Sequence, residues 1–190
     1  MMPYYSLRNT LSANSNIMFN RIQLDAYIGR PLRRNQLADQ LLAGAIDQTE
    51  TEATISAFGE KLLDLFSVTK VVNALPLTTH ELQPVASIEE NQIAIDVYQN
   101  PNANRPVYIA TKEFTASTLE DAQTMLKSDA FVPDRSVLTT QKIGLSRPAT
   151  KHAITVNRWT EKEIEVTTET NGEGILIFAL TYYPGWKATI

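Results

Sequence analysis

Apolar residues along this chain fall into short blocks whose spacing changes several times. Over residues 1–30 isolated Ile17, Phe19, Ile22, Leu24 and Tyr27 stand among Asn, Ser, Gly and Pro. That mixture predicts an extended segment with turns. From Pro31 onward Leu32, Leu37, Leu41, Leu42 and Ile46 recur at helical spacing. Pro31 occupies a first-turn position that tolerates a missing N–H, so a helix to about Ala45 is predicted. The polar connection TETEATIS follows, rich in hydroxyls that can cap the next element.

EKLLDLFSVTKVVNAL reads as a helix feeding a strand. Leu62, Leu63, Leu65 and Phe66 lie on one helical face, and Val68, Val71 and Val72 then switch to β-branched residues, with Pro76 as the stop. IAIDVYQN and PVYIATKEF, separated by NPNANRP, predict an antiparallel pair joined by a turn. STLEDAQTMLKSDAF is the strongest helix pattern: Ser117 or Thr118 as cap, Glu120 and Asp121 in the first turn, Lys127 in the last, and Leu119, Ala122, Met125 and Leu126 as the apolar stripe. SVLTT, after Pro133, is a short strand.

Beyond Lys151 alternation dominates. HAITVNRW, EIEVTTET and GILIFALTYY predict three strands of a small antiparallel sheet, with the turn NGEG between the last two. TYYPGWKATI predicts a fourth strand after a Pro-Gly reversal. The expected fold class is therefore α+β: a mixed α/β part over 1–145 and an antiparallel, sandwich-like β part over 146–190, closed into one compact body with its seam at Gln141–Lys151. Because the last strand stops at Ile190, the β part is expected to be incomplete and the chain a piece of a longer protein.

Composition narrows the function classes. With 190 residues and 43% apolar content the chain can build one good core or two small ones. A net charge of -4 gives no basic stripe, so nucleic acid is not an expected partner. The absence of cysteine removes disulfides, zinc-thiolate sites and thiol nucleophiles together. No run approaches the roughly 18 to 20 apolar residues that cross a bilayer, and Met1–Asn20 has no signal-peptide centre, so the chain itself is expected to be soluble.

Catalytic and metal constellations are missing from the pattern, and no cofactor, catalytic residue or metal ligand is expected. His80 sits in the polar loop LTTHELQP and His152 at a strand start; both are expected at the surface. Glu89-Glu90 and Glu120-Asp121 are a loop pair and a helix start rather than an acid and base, and Gly172-Glu173-Gly174 is a hairpin rather than a phosphate loop. Two features remain. Arg30, Arg33 and Arg34 form a local basic cluster whose guanidinium forks either grip an anionic group or pair with nearby carboxylates at a solvated helix start. Tyr182, Tyr183 and Trp186 bracket a Pro-Gly turn, where they either close a core or present faces for stacking on sugars or at a membrane interface.

Five stretches, in order, resemble one family. LDAYIGRPLRR is similar to its Asp-Gly-Tyr element with Pro-Leu and two basic residues, and LLDLFSVTKVVNA to its Leu-Leu-Asp-Leu-Leu-x-Val-Lys-Tyr-Val element. IDVYQNPNANRPVYIA resembles its strand-turn-strand, LEDAQTMLKSDAFVPDRSVLT its helix ending in a Phe-Asp-Pro turn, and LTYYPGWKATI its Tyr-Tyr-Pro-Gly-Trp-Lys-Ala motif. The family is the YfhO-type bacterial membrane proteins, large polytopic proteins similar in plan to GT-C glycosyltransferases. The stretch resembled, from about Asn16 to Ile190, is their soluble extracytoplasmic region near the C-terminus.

The resemblance implies an extracytoplasmic accessory domain of a membrane-embedded parent. Its implied partners are the rest of that parent and a glycan or polyprenyl-phosphate sugar, with Tyr183 and Trp186 for stacking and Arg33 and Arg34 for anion contact. Ala26 replaces the family's usual Gly, and Asn104-Arg105-Pro106 departs from its Pro-Arg turn, so no role passes to Arg105. The family's presumed catalytic carboxylates lie in a part this chain does not contain. The alternative reading is a non-catalytic structural or interaction module with an open sheet edge.

Overall fold

The computed structural model describes residues 45–49, 51–90, 93–160, 162–180 and 185–190. They fall into two units, one of Met1–Ala103 with Gly185–Ile190 and the other of Asn104–Pro184. The stretch Gln141–Lys151 lies within the second.

In the first unit β1 (Ile46–Gln48) runs antiparallel to β2 (Ala53–Ile55), and β2 runs parallel to β4 (Leu77–Thr78). Between them α1 (Ala57–Leu65) is started by Ser56. Its hydroxyl accepts from the Gly59 amide at 3.1 Å and donates to the Ala45 carbonyl at 3.0 Å, tying the helix to the chain ahead of β1. Gly59 permits this approach, since a Cβ there would stand 2.6 Å from the Ala45 oxygen. The helix ends where Ser67 takes a left-handed conformation, φ 59°, that turns the chain into β3 (Lys70–Asn73).

β3, β6 (Ile93–Gln99) and β5 (Gln83–Glu90) form an antiparallel sheet in the order β3-β6-β5. Its Tyr98 joins Ile55, Leu63 and Leu82 in the core, with Val68, Val71 and Leu77 packed around them.

The second unit is organised about β7 (Val107–Ala110), whose four residues are all buried. β12 (Ile175–Phe178) pairs with it antiparallel, Leu176 opposite Ile109. β8 (Lys112–Thr115) and β9 (Ser136–Thr139) run parallel, connected by α2 (Leu119–Lys127). Parallel neighbours cannot be joined by a tight turn, so this crossover helix is what the pairing requires. Thr118 caps α2 by accepting from the Asp121 amide at 3.1 Å. The helix buries Ala122 and Leu126, and Phe131 behind it is 1% exposed with its ring 5.3 Å from that of Phe114. β10 (His152–Trp159) and β11 (Ile164–Thr170) form an antiparallel ribbon with a bulge between Val156 and Arg158. The bulge adds one residue, so Trp159 returns to the side of Ile154 and Val156, opposite Ile164.

These arrangements correct the expected α+β class. The described residues form five small sheets of short strands with two nine-residue helices, a mostly β structure, and a mixed α/β N-terminal part is not seen. The reason lies in β1, β2, β4 and β5: they are too short, or too poor in apolar alternation, to register as strands in the pattern, yet they occupy the region read as mixed. Three pairings also differ. β6 pairs with β3 and β5 and not with β7; β12 leaves β11 for β7; and residues 186–190 form no strand. The helix expected over Pro31–Ala45 lies, Ala45 apart, outside the described residues. Both helices and the remaining strands stand close to where the pattern put them, and His80 and His152 are exposed. Among the described residues no helix is long and apolar enough to cross a membrane.

Gly172 lies so close to the loop before β10 that a Cβ would stand 2.7 Å from the Arg147 carbonyl oxygen and 2.9 Å from the Ala149 Cα. Both neighbours are backbone and cannot swing aside. Gly172→Ala is therefore expected to cost about 1–3 kcal/mol, the usual range for overpacking, read as a lower urea midpoint at unchanged m-value.

Candidate functional site

Glu60 and Asp64 are four residues apart on α1 and so share one face. Glu60 is 3% exposed. Its Oε1 accepts from the Thr79 hydroxyl, from the His80 amide at 2.7 Å and from the Glu81 amide at 3.0 Å, while the Leu82 amide donates to the Thr79 hydroxyl. The loop between β4 and β5 is thus wrapped on one buried carboxylate.

Asp64 accepts from Asn100 Nδ2 at 2.8 Å, and the same nitrogen donates to the Val68 carbonyl. Asn100 is 2% exposed; its oxygen receives the Asn102 amide, and Asn102 in turn donates to Glu81. Burial holds the Asp64 carboxyl above the usual range; the Asn100 hydrogen bond opposes this, and the Glu81 and Glu60 charges add to it. Acid–base catalysis needs a group that a substrate can reach, with a partner to orient it. Glu60 instead spends its oxygen on two amides and a hydroxyl, and Asp64 meets a structural amide. This network closes a loop. Among the described residues no group of three or more His, Asp and Glu side chains is placed to hold a metal ion.

The second unit repeats the device at its surface. Glu113, on β8, accepts from the Ile143 amide at 2.6 Å, the Gly144 amide at 2.9 Å and the Thr139 hydroxyl at 3.0 Å. Glu173 accepts from the Ser146 and Arg147 amides, and Asn171 Oδ1 from those of Thr150 and Lys151. The loop from Ile143 to Lys151 is pinned at three successive amide pairs. Gly144 supplies the left-handed φ of 83° that the first of them requires. These amides hold both glutamates below the usual carboxylate range: Ile143 then Gly144 for Glu113, Arg147 then Ser146 for Glu173.

The pinned loop roofs a cleft of about 470 Å³ lined by Ile109 and Leu176, by Ile143 and Leu145, and by Thr168 and Thr170 of β11. That volume is within the roughly 300–1,000 Å³ of small-molecule sites. Its lining mixes these aliphatic side chains with two hydroxyls, glycine backbone and the Glu173 carboxylate, which is already committed to Ser146 and Arg147. The Thr170 hydroxyl donates to the Gly172 carbonyl at 2.7 Å, and His152 stands opposite Thr170 in the β10–β11 register. The Tyr108 hydroxyl, pushed up to about 12 by burial and then by Asp134, donates to the Ser136 carbonyl and stays protonated at neutral pH.

Of the sequence-predicted binding residues, Arg33, Arg34 and Tyr183 lie outside the described residues. Trp186 follows Gly185, which adopts φ 125°, and exposes 39% of its surface. Its remaining surface is covered. Sequence reasoning missed Glu60, Asp64, Asn100, Glu113 and Glu173. The i, i+4 acidic pair on α1 was the only signal available, because each of these groups has a hydrogen-bond partner 20 or more residues away.

Two outcomes follow for acid and for mutation. Asp64 has its folded pKa raised, so ionising it costs stability at neutral pH, and it sits in the last turn of α1, where a negative charge opposes the helix dipole. Asp64→Asn, which keeps an acceptor for Asn100, is expected to raise the urea midpoint at pH 7, with the gain disappearing as pH falls through the folded pKa. Glu113 and Glu173 have lowered folded pKa values, so their contribution is complete above the ordinary carboxylate range and lost as pH drops through the depressed values. An NMR acid titration should show the Ile143, Gly144, Ser146 and Arg147 amides moving together, below pH about 4.5.

No protein-family model, no curated protein and no solved structure matches this chain at a significant level.

Proposed function

We propose that this chain is a non-catalytic accessory domain on the extracytoplasmic side of a YfhO-type, glycosyltransferase-like membrane protein, where it contributes to recognition of a glycan or lipid-linked sugar acceptor. The reading rests on the five ordered motifs, and the observation that carries it is Trp186. This residue of the Tyr-Tyr-Pro-Gly-Trp-Lys-Ala stretch presents more than a third of its surface to solvent. An exposed indole offers a large apolar face with a polar N–H at its edge, suited to the apolar face of a pyranose. Tyr183 would share the stacking, and Arg33 and Arg34 would meet a phosphate.

A second reading, an interaction module with an open sheet edge, is favoured by a different observation. In the β3-β6-β5 sheet, β5 is an edge strand, and Gln83–Glu89 are all exposed. The open edge expected after Ile190 is not formed by a strand, and this one takes its place.

Titrating the isotopically labelled chain with polysaccharide fragments and with a polyprenyl-phosphate sugar separates the two. Sugar recognition predicts shifts of the Trp186 indole N–H that are lost in Trp186→Ala, while β5 stays still. Flat spectra at millimolar ligand would remove direct glycan binding.

A further inference from the structure

β5 carries a specific opportunity, and resting on the interaction-module reading we propose that its outer edge binds a basic, extended peptide segment of a partner protein by strand addition. An edge strand has every second N–H and C=O pointing away from its sheet, and these groups pair readily with another chain. Folded proteins usually blunt such edges. Here Pro84 removes one donor and the ladder shifts between Pro84 and Ala86, so Val85 is the bulged residue. Those devices close only the start of the strand. From Ala86 to Glu90 the register against β6 is regular, which among the described residues leaves a five-residue ladder open on its far side.

The side chains on this strand are unusual for an unused edge. Val85 and Ile88 are each 53% exposed. Ile88 stands opposite Ile95, on the side of the sheet that also carries Val97 and Val72, so an added strand would extend an existing apolar surface.

Charge selects the occupant. Residues 45–103 hold nine Asp and Glu against two Lys. Glu89 is exposed within the open ladder, directly opposite Ala94, and its cross-strand neighbours on β6 carry no cation. A partner strand with Lys or Arg alternating with β-branched residues would place cations against Glu89 and apolar side chains beside Ile88, the opposite-charge and apolar cross-strand pairs that stabilise sheets. A second copy of this chain would instead bring two acidic units together. An acidic partner is disfavoured for the same reason.

The test uses the full chain, isotopically labelled, and three synthetic heptapeptides: alternating Lys and Val, the same peptide N-methylated at alternate residues on its hydrogen-bonding edge, and alternating Glu and Val. Strand addition predicts that the first peptide shifts the Ala86–Glu89 amides and slows exchange of the outward-facing ones. The other two should leave them unmoved. Glu89→Lys, a surface change, should weaken the first peptide several-fold and admit the Glu-Val peptide. Equal response to the N-methylated peptide would reduce the effect to charge alone and overturn the proposal. Shifts confined to other residues would sink the β5 assignment while leaving an interaction module standing, and no shift at all would sink both. Concentration-dependent shifts of β5 without peptide would give the edge to a second copy and also overturn it. None of these outcomes touches the sugar reading, which is read at Trp186.

Discussion

Successive backbone amides left unpaired by short strands must find acceptors, and in this protein single carboxylates supply them from far along the chain. An unsatisfied amide costs more than a formed hydrogen bond gains, so loops between three- and four-residue strands need this help more than loops between long ones. Glu60 takes the His80 and Glu81 amides, Glu113 those of Ile143 and Gly144, and Glu173 those of Ser146 and Arg147. The sheets keep their connections in place through these clamps. The clamps in turn fix what each unit can present: the start of β5 in one and the roof over the cleft beside β7 and β12 in the other.

Burial decides how the same device behaves in the two units. Glu60 is enclosed, and neighbouring Asp64 meets both desolvation and like charge, so one side of α1 carries an electrostatic cost that Asn100 relieves in part. At Glu113 and Glu173 the carboxylates remain in solvent, and the amides only favour their ionised form. Neither arrangement offers a reactive group to a substrate. The described residues expose instead an indole at Trp186 and the outer edge of β5.

Local chemistry made several elements legible. α2 announced itself by a hydroxyl cap, first-turn acids, a last-turn lysine and an apolar stripe, and every one of those signals acts within a turn of the residue that carries it. The α1-to-β3 switch was readable from leucines giving way to valines, and β10 and β11 from their alternation. Strands β1, β2, β4 and β5 of the first unit were not. Gln83–Glu90 contains a proline, two adjacent acids and only Val85 and Ile88 as large apolar residues, a composition that suits an exposed edge and so lacks the inward-outward rhythm of a half-buried strand.

What the sequence by itself determined is where the chain can curl into each of the two described helices and where it runs extended, because capping, dipole charge and side-chain branching are local forces. Which strands meet was decided only in three dimensions. β11 and β12 are joined by a turn of hairpin length, yet β12 lies against β7, where Leu176 faces Ile109 and all four β7 residues leave water. The gain from burying a strand on both faces exceeds the convenience of pairing with the nearest neighbour, and no local signal reports it. The same holds for Glu60, Glu113 and Glu173: a glutamate reads as solvated until the fold carries two bare amides to it.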